Sequence, residues 1–256
     1  MRSRNNWTRE QHIIAFNVYC RIPFGKIDEV TPEVQQLAKL VGRSVGAASL
    51  KLANFARLDP ALKQRGIKGL AHGAKGEIEV WEEFAQNPEQ LALESEKLVA
   101  ARLGQTIEST SEIETDDLPK AGIEREALVM LRVQQNFFRR RVLSAYKFQC
   151  CVTGLTNRQL LVASHIVPWA ADPTNRLNPR NGLSLNALHD KAFDRHLMWI
   201  DEDYLVHLSP KLHESNAAAK PTIDWLMSFE GKPLLLPEKF RPDPTLIAIH
   251  ASHCAR

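Results

Sequence analysis

The chain has 256 residues, of which 44% are hydrophobic and 25% charged, so it can bury a substantial core and is long enough for two modest domains. No apolar run approaches the roughly 20 residues that cross a bilayer, and the segment from Met1 to Trp7 lacks the apolar core of a secretory signal. We therefore expect a soluble cytoplasmic protein and no membrane partner.

Three helices are predicted at the start of the chain. Thr8 can cap the first, with Gln11 at the capping-box position, and Thr31 followed by Pro32 begins the second. The second helix runs to Gly42, and a third begins after Ser44. Two short helices joined by a glycine-containing turn are typical of a helix-turn-helix, whose second helix can enter a DNA major groove. The residues then expected to contact DNA are Arg43, Ser44, Lys51 and Asn54. A small helical bundle without a ligand explains the pattern equally well.

The charge distribution is uneven, although the net charge is only +3. Basic residues dominate up to residue 75, acidic residues from 77 to 117, and basic residues again from 120 to 147. Two basic blocks predict two surfaces that face a polyanion, but ordinary solvated helix faces would give the same pattern. The second block includes Arg139, Arg140 and Arg141, which we expect to contact phosphates.

The segment 105–120 is rich in Thr, Ser and Glu and is the best linker candidate. It divides a basic, mainly helical domain of residues 1–104, predicted to recognise DNA, from a domain of residues 121–256.

The second domain begins with a basic helical segment from Arg125 to Phe148. Short apolar runs at 160–163 and 183–185 flank a turn-rich loop and predict a β-hairpin, and 187–195 predicts a helix. A further hairpin is predicted at 197–206. These elements predict a ββα unit flanked by helices, so the fold class is α+β.

The four cysteines, Cys20, Cys150, Cys151 and Cys254, form no C-x-x-C pair. Adjacent Cys150 and Cys151 would point to opposite faces of a strand, which suits packing better than shared metal binding. We therefore expect structural thiols and no structural zinc.

Hydrolysis of a phosphodiester needs a base for the water and stabilisation of the charge on the phosphate and the leaving oxygen. His165 ends the first predicted strand and can act as the base, because the pKa of a histidine lies near physiological pH. Asn181 opens the second strand and is expected to fix His165 by a hydrogen bond. His189, in the following helix, can hold a divalent cation.

These residues resemble the HNH nucleases, which share a ββα-metal fold. The resemblance covers roughly residues 135–250 and depends on the ordered segments 135–139, Tyr146 with 150–154, 163–169, 181–185 and 189–195. It implies catalytic roles for His165, Asn181 and His189, and one Mg²⁺ or Mn²⁺ ion bound at His189. Many HNH enzymes have an aspartate immediately before the base. Ser164 occupies that position here and is the second predicted metal contact. Because a hydroxyl is a poor replacement for a carboxylate, we expect the ion either to bind more water or to have Asp190 or Asp194 next to its direct ligands.

The resemblance is to the subgroup common in bacterial restriction and defence proteins. It implies a DNA endonuclease that acts on double-stranded DNA, with modified cytosine as a hypothetical recognition feature. Because one HNH unit cuts one strand, double-strand cleavage predicts a homodimer. The alternatives are a nicking or toxin-type nuclease, or a DNA-binding regulator with an inactive HNH unit.

Overall fold

The computed structural model describes residues 6–64, 66, 73–214 and 217–254. Two compact units divide the chain, Met1–Arg141 and Val142–Arg256. Within the described residues, none of the helices is both long enough and apolar enough to span a membrane.

The first unit is helical. Its helices are α1 (Arg9–Arg21), α2 (Pro32–Val41), α3 (Val45–Ala56), α4 (Pro60–Gln64), α5 (Lys75–Phe84), α6 (Pro88–Leu103), α7 (Ile107–Thr110) and α8 (Ile123–Ala145), the last of which extends four residues into the second unit. The capping box predicted at Thr8 and Gln11 is present. Gly42 ends α2 with a φ of 67°, a left-handed conformation that suits glycine.

The helix-turn-helix order is confirmed, because α2 and α3 follow each other across Gly42, and Ser44 caps α3. Much of α3 is covered by its neighbours, because the helix packs against α1, α2 and α5. Its apolar face contributes Ala48, Leu52 and Phe55 to the core. The helix is therefore central to this unit.

The segment predicted as a linker, residues 105–120, has its own structure. It contains α7, Glu108 forms an ion pair with Arg125, and the Ser111 hydroxyl donates to Glu96. The division between compact units falls after Arg141, on the C-terminal side of this segment.

The second unit contains the ββα arrangement. Strands β1 (Leu161–His165) and β2 (Gly182–Asn186) pair antiparallel, with His165 opposite Gly182 and Leu161 opposite Asn186. Helix α9 (Ala187–Asp194) follows β2 directly, because the Asn186 side chain accepts hydrogen bonds from the backbone N–H groups of Leu188 and His189. This helix packs against both strands. The α+β class is confirmed.

A second hairpin and two helices complete the unit. Strands β3 (Met198–Ile200) and β4 (Val206–Leu208) pair antiparallel, and helices α10 (Lys220–Met227) and α11 (Pro244–Ser252) follow. Beneath the first hairpin, Leu143, Cys150 and Leu161 form a buried apolar cluster.

Candidate active site in the ββα unit

His165 is the half-buried last residue of β1. Its Nε2 donates to the backbone carbonyl oxygen of Arg176 at 3.0 Å, so the neutral ring carries its lone pair on Nδ1. Burial lowers the pKa of His165, and the Arg176 carbonyl and the nearby charge of Asp194 oppose that shift. The ring is therefore neutral at pH 7 and has the protonation state of a general base.

Asn181 lies at the other end of the loop between the strands and is fully buried. Its side-chain oxygen accepts from the Val167 N–H at 2.8 Å, and its amide nitrogen donates to the carbonyl oxygens of Val167 and Asn175 at 3.0 and 3.2 Å. Both amide hydrogens are thus committed to the backbone. Asn181 was expected to fix the His165 ring by a hydrogen bond of its own. The structure shows an indirect connection instead: Asn181 holds the loop, and the Arg176 carbonyl of that loop orients the ring.

The loop itself is ordered by local hydrogen bonds. Asp172 accepts from the backbone N–H groups of Thr174 and Asn175, and Arg176 donates through Nε to the Trp169 carbonyl. The ring of Trp169 meets the His165 ring edge-on at 5.6 Å. A long turn-rich segment therefore holds a defined shape around the base.

Two carboxylates of α9 lie on the side of the helix that approaches β1. Asp190 and Asp194 are four residues apart and so share a face of the helix. Burial raises the pKa of half-buried Asp190, the Ser164 hydroxyl opposes that shift, and Asp194 adds to it. The Ser164 hydroxyl is buried and close to Asp190, but it makes no hydrogen bond of standard geometry among the described residues. Asp190 is therefore close to Ser164, and the charge of Asp194 acts on both Asp190 and His165.

His189 has a different environment. It is fully buried, and its ring meets those of Trp225 and Phe229 edge-on at 5.1 and 5.2 Å. Neither ring nitrogen has a hydrogen-bond partner among the described residues. Burial lowers the pKa of His189 to about 4, so the ring is neutral and able to ligate a metal. Two unpartnered buried nitrogens cost free energy unless a ligand satisfies them.

The arginine residues expected to contact phosphates are half-buried rather than fully solvated. Arg141 lies over the Phe137 ring at 5.2 Å, and burial lowers the pKa of both Arg139 and Arg141. Arg140 lines a small cavity together with Arg21 and Glu96. Packing of the aliphatic stems explains much of their burial.

Lys51 and Asn54, which we expected to contact DNA from α3, are both buried. Lys51 is 5% exposed and forms an ion pair with the fully buried Glu77, to which Asn54 also donates at 2.9 Å. These two polar side chains lie on the side of α3 that faces α5, where Glu77 neutralises the lysine. A buried carboxylate 26 residues away along the chain from Lys51 could not be paired with it from the sequence alone.

Arg43 and Ser44 remain closer to the surface. Arg43 donates to the Asn6 carbonyl and to Gln11, and its guanidinium lies 5.4 Å from the centre of the Trp7 ring. The Ser44 hydroxyl is committed to capping α3.

Several groups of the site were not predicted from the sequence. The Arg176 carbonyl, which orients the base, is a backbone group and leaves no sequence signal. Trp225 and Phe229 lie more than 30 residues from His189 along the chain and became its neighbours only through the fold. Asp190 and Asp194 were named only as alternatives, although their i, i+4 spacing on a predicted helix would have placed both on one face.

Comparison with known proteins identifies the segment that contains the ββα unit. Residues 150–201 match the family model described as HNH endonuclease. The matched segment contains β1, β2, α9 and β3, with His165, Asn181 and His189 in it. No curated protein matches the chain.

Proposed function

We propose that the chain, which carries an HNH endonuclease domain at residues 150–201, is a metal-dependent DNA endonuclease that hydrolyses phosphodiester bonds. The observation that carries this proposal is the arrangement of His165. A neutral imidazole at the end of β1 is held in one tautomer by a backbone carbonyl and lies within reach of the charge of Asp194 on α9.

His165 acts as the general base in this proposal. Its Nδ1 takes a proton from the attacking water, while the Nε2–H bond to Arg176 becomes stronger as the ring gains positive charge. The negative charge of Asp194 stabilises the imidazolium that forms. Asn181 is a positioning residue, because it acts on the base through the loop backbone.

The carboxylates of α9 near the base fit a divalent cation, because Asp190 and Asp194 offer the oxygen donors that Mg²⁺ and Mn²⁺ prefer. His189 is a further candidate ligand: its neutral ring packs against Trp225 and Phe229, and its nitrogens have no partner among the described residues. Ser164, expected as a metal contact, lies against Asp190, so helix α9 supplies the carboxylate that many HNH enzymes have at the Ser164 position. A bound cation would neutralise the phosphate and stabilise the leaving oxygen.

Positive charge for the DNA backbone is available on the same helix. Lys191 and Arg195 are exposed beside Asp190 and Asp194. Phosphate contacts of this kind position a duplex without reading its sequence.

The test is incubation of supercoiled plasmid with the purified full chain in Mg²⁺ or Mn²⁺. The expected result is nicked or linear product that EDTA prevents. Binding to the plasmid without cleavage in either metal would instead support a DNA-binding regulator with an inactive HNH unit.

We propose a restriction role for this activity, with the first unit as the recognition domain. This unit has a cavity of about 490 Å³ lined by Trp7, Arg9, His12 and Lys75 among others. The Trp7 ring beside the exposed cationic side chains of Arg9 and Lys75 is suited to a base and its phosphate. Recognition of modified cytosine in this cavity would appear as faster cleavage of methylated than of unmethylated genomic DNA, with the preference lost in Trp7→Ala. Equal cleavage of both DNAs by the unchanged protein would refute it.

A further inference from the structure

Two imidazoles and a thiol converge at the C-terminal end of the second unit. His196 follows α9, His250 lies in the last turns of α11, and Cys254 follows that helix. One ligand atom from each lies within 4.8 Å of the other two. The Cys254 Sγ is 3.9 Å from His196 Nδ1 and 3.8 Å from His250 Nδ1.

These distances are close to those of a metal centre. Tetrahedral zinc with a Zn–S bond of about 2.3 Å and Zn–N bonds of about 2.05 Å separates sulfur from nitrogen by about 3.6 Å. The two observed S···N separations need to shorten by only about 0.3 Å to meet that value. The ring nitrogens of the two histidines lie within 4.8 Å of each other and would come closer as they bind one ion.

The surroundings orient the imidazole of His250. Its Nε2 donates to the Phe193 carbonyl at 3.1 Å, so the lone pair is on Nδ1, the nitrogen directed at Cys254. The Phe193 ring stacks on the same imidazole with centroids 3.7 Å apart. A hydrogen bond from the outer nitrogen to a backbone carbonyl is the arrangement that accompanies metal-ligating histidines.

We propose that His196, His250 and Cys254 bind a zinc ion. A thiolate with two neutral imidazoles favours zinc over Mg²⁺ and Mn²⁺, which prefer oxygen donors. The exposed His253 lies near these three residues, with its ring centroid 6.0 Å from that of His196, so His253 or water could supply a fourth ligand. This site uses none of the residues assigned to phosphodiester hydrolysis. The zinc proposal can therefore be tested independently of the proposed nuclease activity.

The site would tie the end of the chain to the ββα unit. His196 lies between α9 and β3, whereas His250 and Cys254 belong to α11 and the residues after it. Because the chain has no C-x-x-C pair, we expected no structural zinc, and this proposal departs from that expectation. The structure brings a single thiol together with histidines 4 and 58 residues away.

Cobalt titration tests this assignment directly. The full-length protein is stripped of metal with a chelator, kept reduced, and titrated with Co²⁺ while its absorption spectrum is recorded. We expect one Co²⁺ per chain with thiolate-to-cobalt charge transfer in the near ultraviolet, displaced by zinc but unaffected by excess Mg²⁺. Absence of the charge-transfer band in the unchanged protein would overturn the proposal, whatever any variant does.

Matched variants locate the site. Cys254→Ala should lose the charge-transfer band, whereas Cys20→Ala, which removes a buried thiol of the other unit, should keep it. His196→Ala should weaken Co²⁺ binding by about tenfold or more, and His213→Ala, at an exposed histidine, should not. A band that persists in folded Cys254→Ala, with circular dichroism as the check of folding, would contradict the assignment.

Discussion

Asp190 lies close to the hydroxyl of Ser164. Ser164 occupies the sequence position at which many HNH enzymes have a carboxylate. Ser164 alone would be a weak ligand for Mg²⁺, because a neutral hydroxyl does not replace a carboxylate. In the proposed site the carboxylate comes from Asp190 on the helix instead of from the strand.

Asp190→Asn should raise the Mg²⁺ or Mn²⁺ concentration that gives half-maximal cleavage by about tenfold or more, because it removes the anionic donor but keeps the size of the side chain. Cleavage rates across a metal titration measure this effect. Asp203→Asn, at an exposed turn, is the control. An unchanged metal requirement in Asp190→Asn would place the ion elsewhere.

His207 gives a pH-dependent contribution to stability. Burial lowers the pKa of His207, but hydrogen bonds to Asp201 and Glu230 outweigh burial and raise it overall. A raised pKa in the folded protein means that the stabilisation is fully present below the unfolded value of about 6.5 and is lost as the pH rises through the folded value.

His207→Gln should therefore lower the free energy of unfolding more at pH 5.5 than at pH 8.5. The difference should not exceed about 1 kcal/mol, because these ion pairs are partly exposed. Urea denaturation at the two pH values measures it. An equal loss at both would show that the charged histidine contributes nothing.

The shape of the loop between β1 and β2 depends on Asn181. Its buried amide bonds to Val167 and Asn175, and the loop in turn presents the Arg176 carbonyl to His165. Asn181→Asp replaces an amide donor with a carboxylate that faces two carbonyl oxygens.

This substitution should destabilise the protein by about 3 kcal/mol or more, because it leaves a buried charge without compensation. It should also reduce cleavage at temperatures where the protein remains folded. Asn157→Asp, at an exposed cap where aspartate serves equally well, should change neither property. Thermal denaturation and plasmid cleavage provide the two readouts. Wild-type stability in Asn181→Asp would contradict the role assigned to the loop.

Elements close in sequence were the most predictable part of the fold. The cap at Thr8, the turn at Gly42, the hairpin and α9 all follow from local residue patterns, and each is present. The direction in which α3 faces was not predictable, because the partner of Lys51 and Asn54 is Glu77 on α5. Burial of a lysine becomes favourable only when a distant carboxylate neutralises it.

In the candidate site, too, the local pattern was predictable and the distant partners were not. His165, Asn181 and His189 were found from their order and local pattern, and the structure places them at the end of β1, before β2 and within α9. Their partners are a backbone carbonyl, the loop backbone and two aromatic rings of the α10 region, none of which the motif encodes. The triad of His196, His250 and Cys254 was missed because two chain segments far apart in sequence form it.

At the scale of the whole molecule, one HNH domain is expected to cut one strand of a duplex. Two chains should therefore cooperate to make a double-strand break. The ratio of linear to nicked plasmid should rise with protein concentration, and light scattering should detect a dimer over the same range. Linear product made by a protein that stays monomeric would contradict this prediction, as would nicked product alone at every concentration.

The most direct test of the account compares plasmid cleavage by the unchanged protein, His165→Ala and His213→Ala in Mn²⁺, with DNA binding measured alongside. Loss of a general base should slow cleavage by His165→Ala by about a hundredfold or more, while DNA binding persists and His213→Ala cuts at the normal rate. Cleavage by His165→Ala at the rate of the unchanged protein would show that this imidazole is not the base.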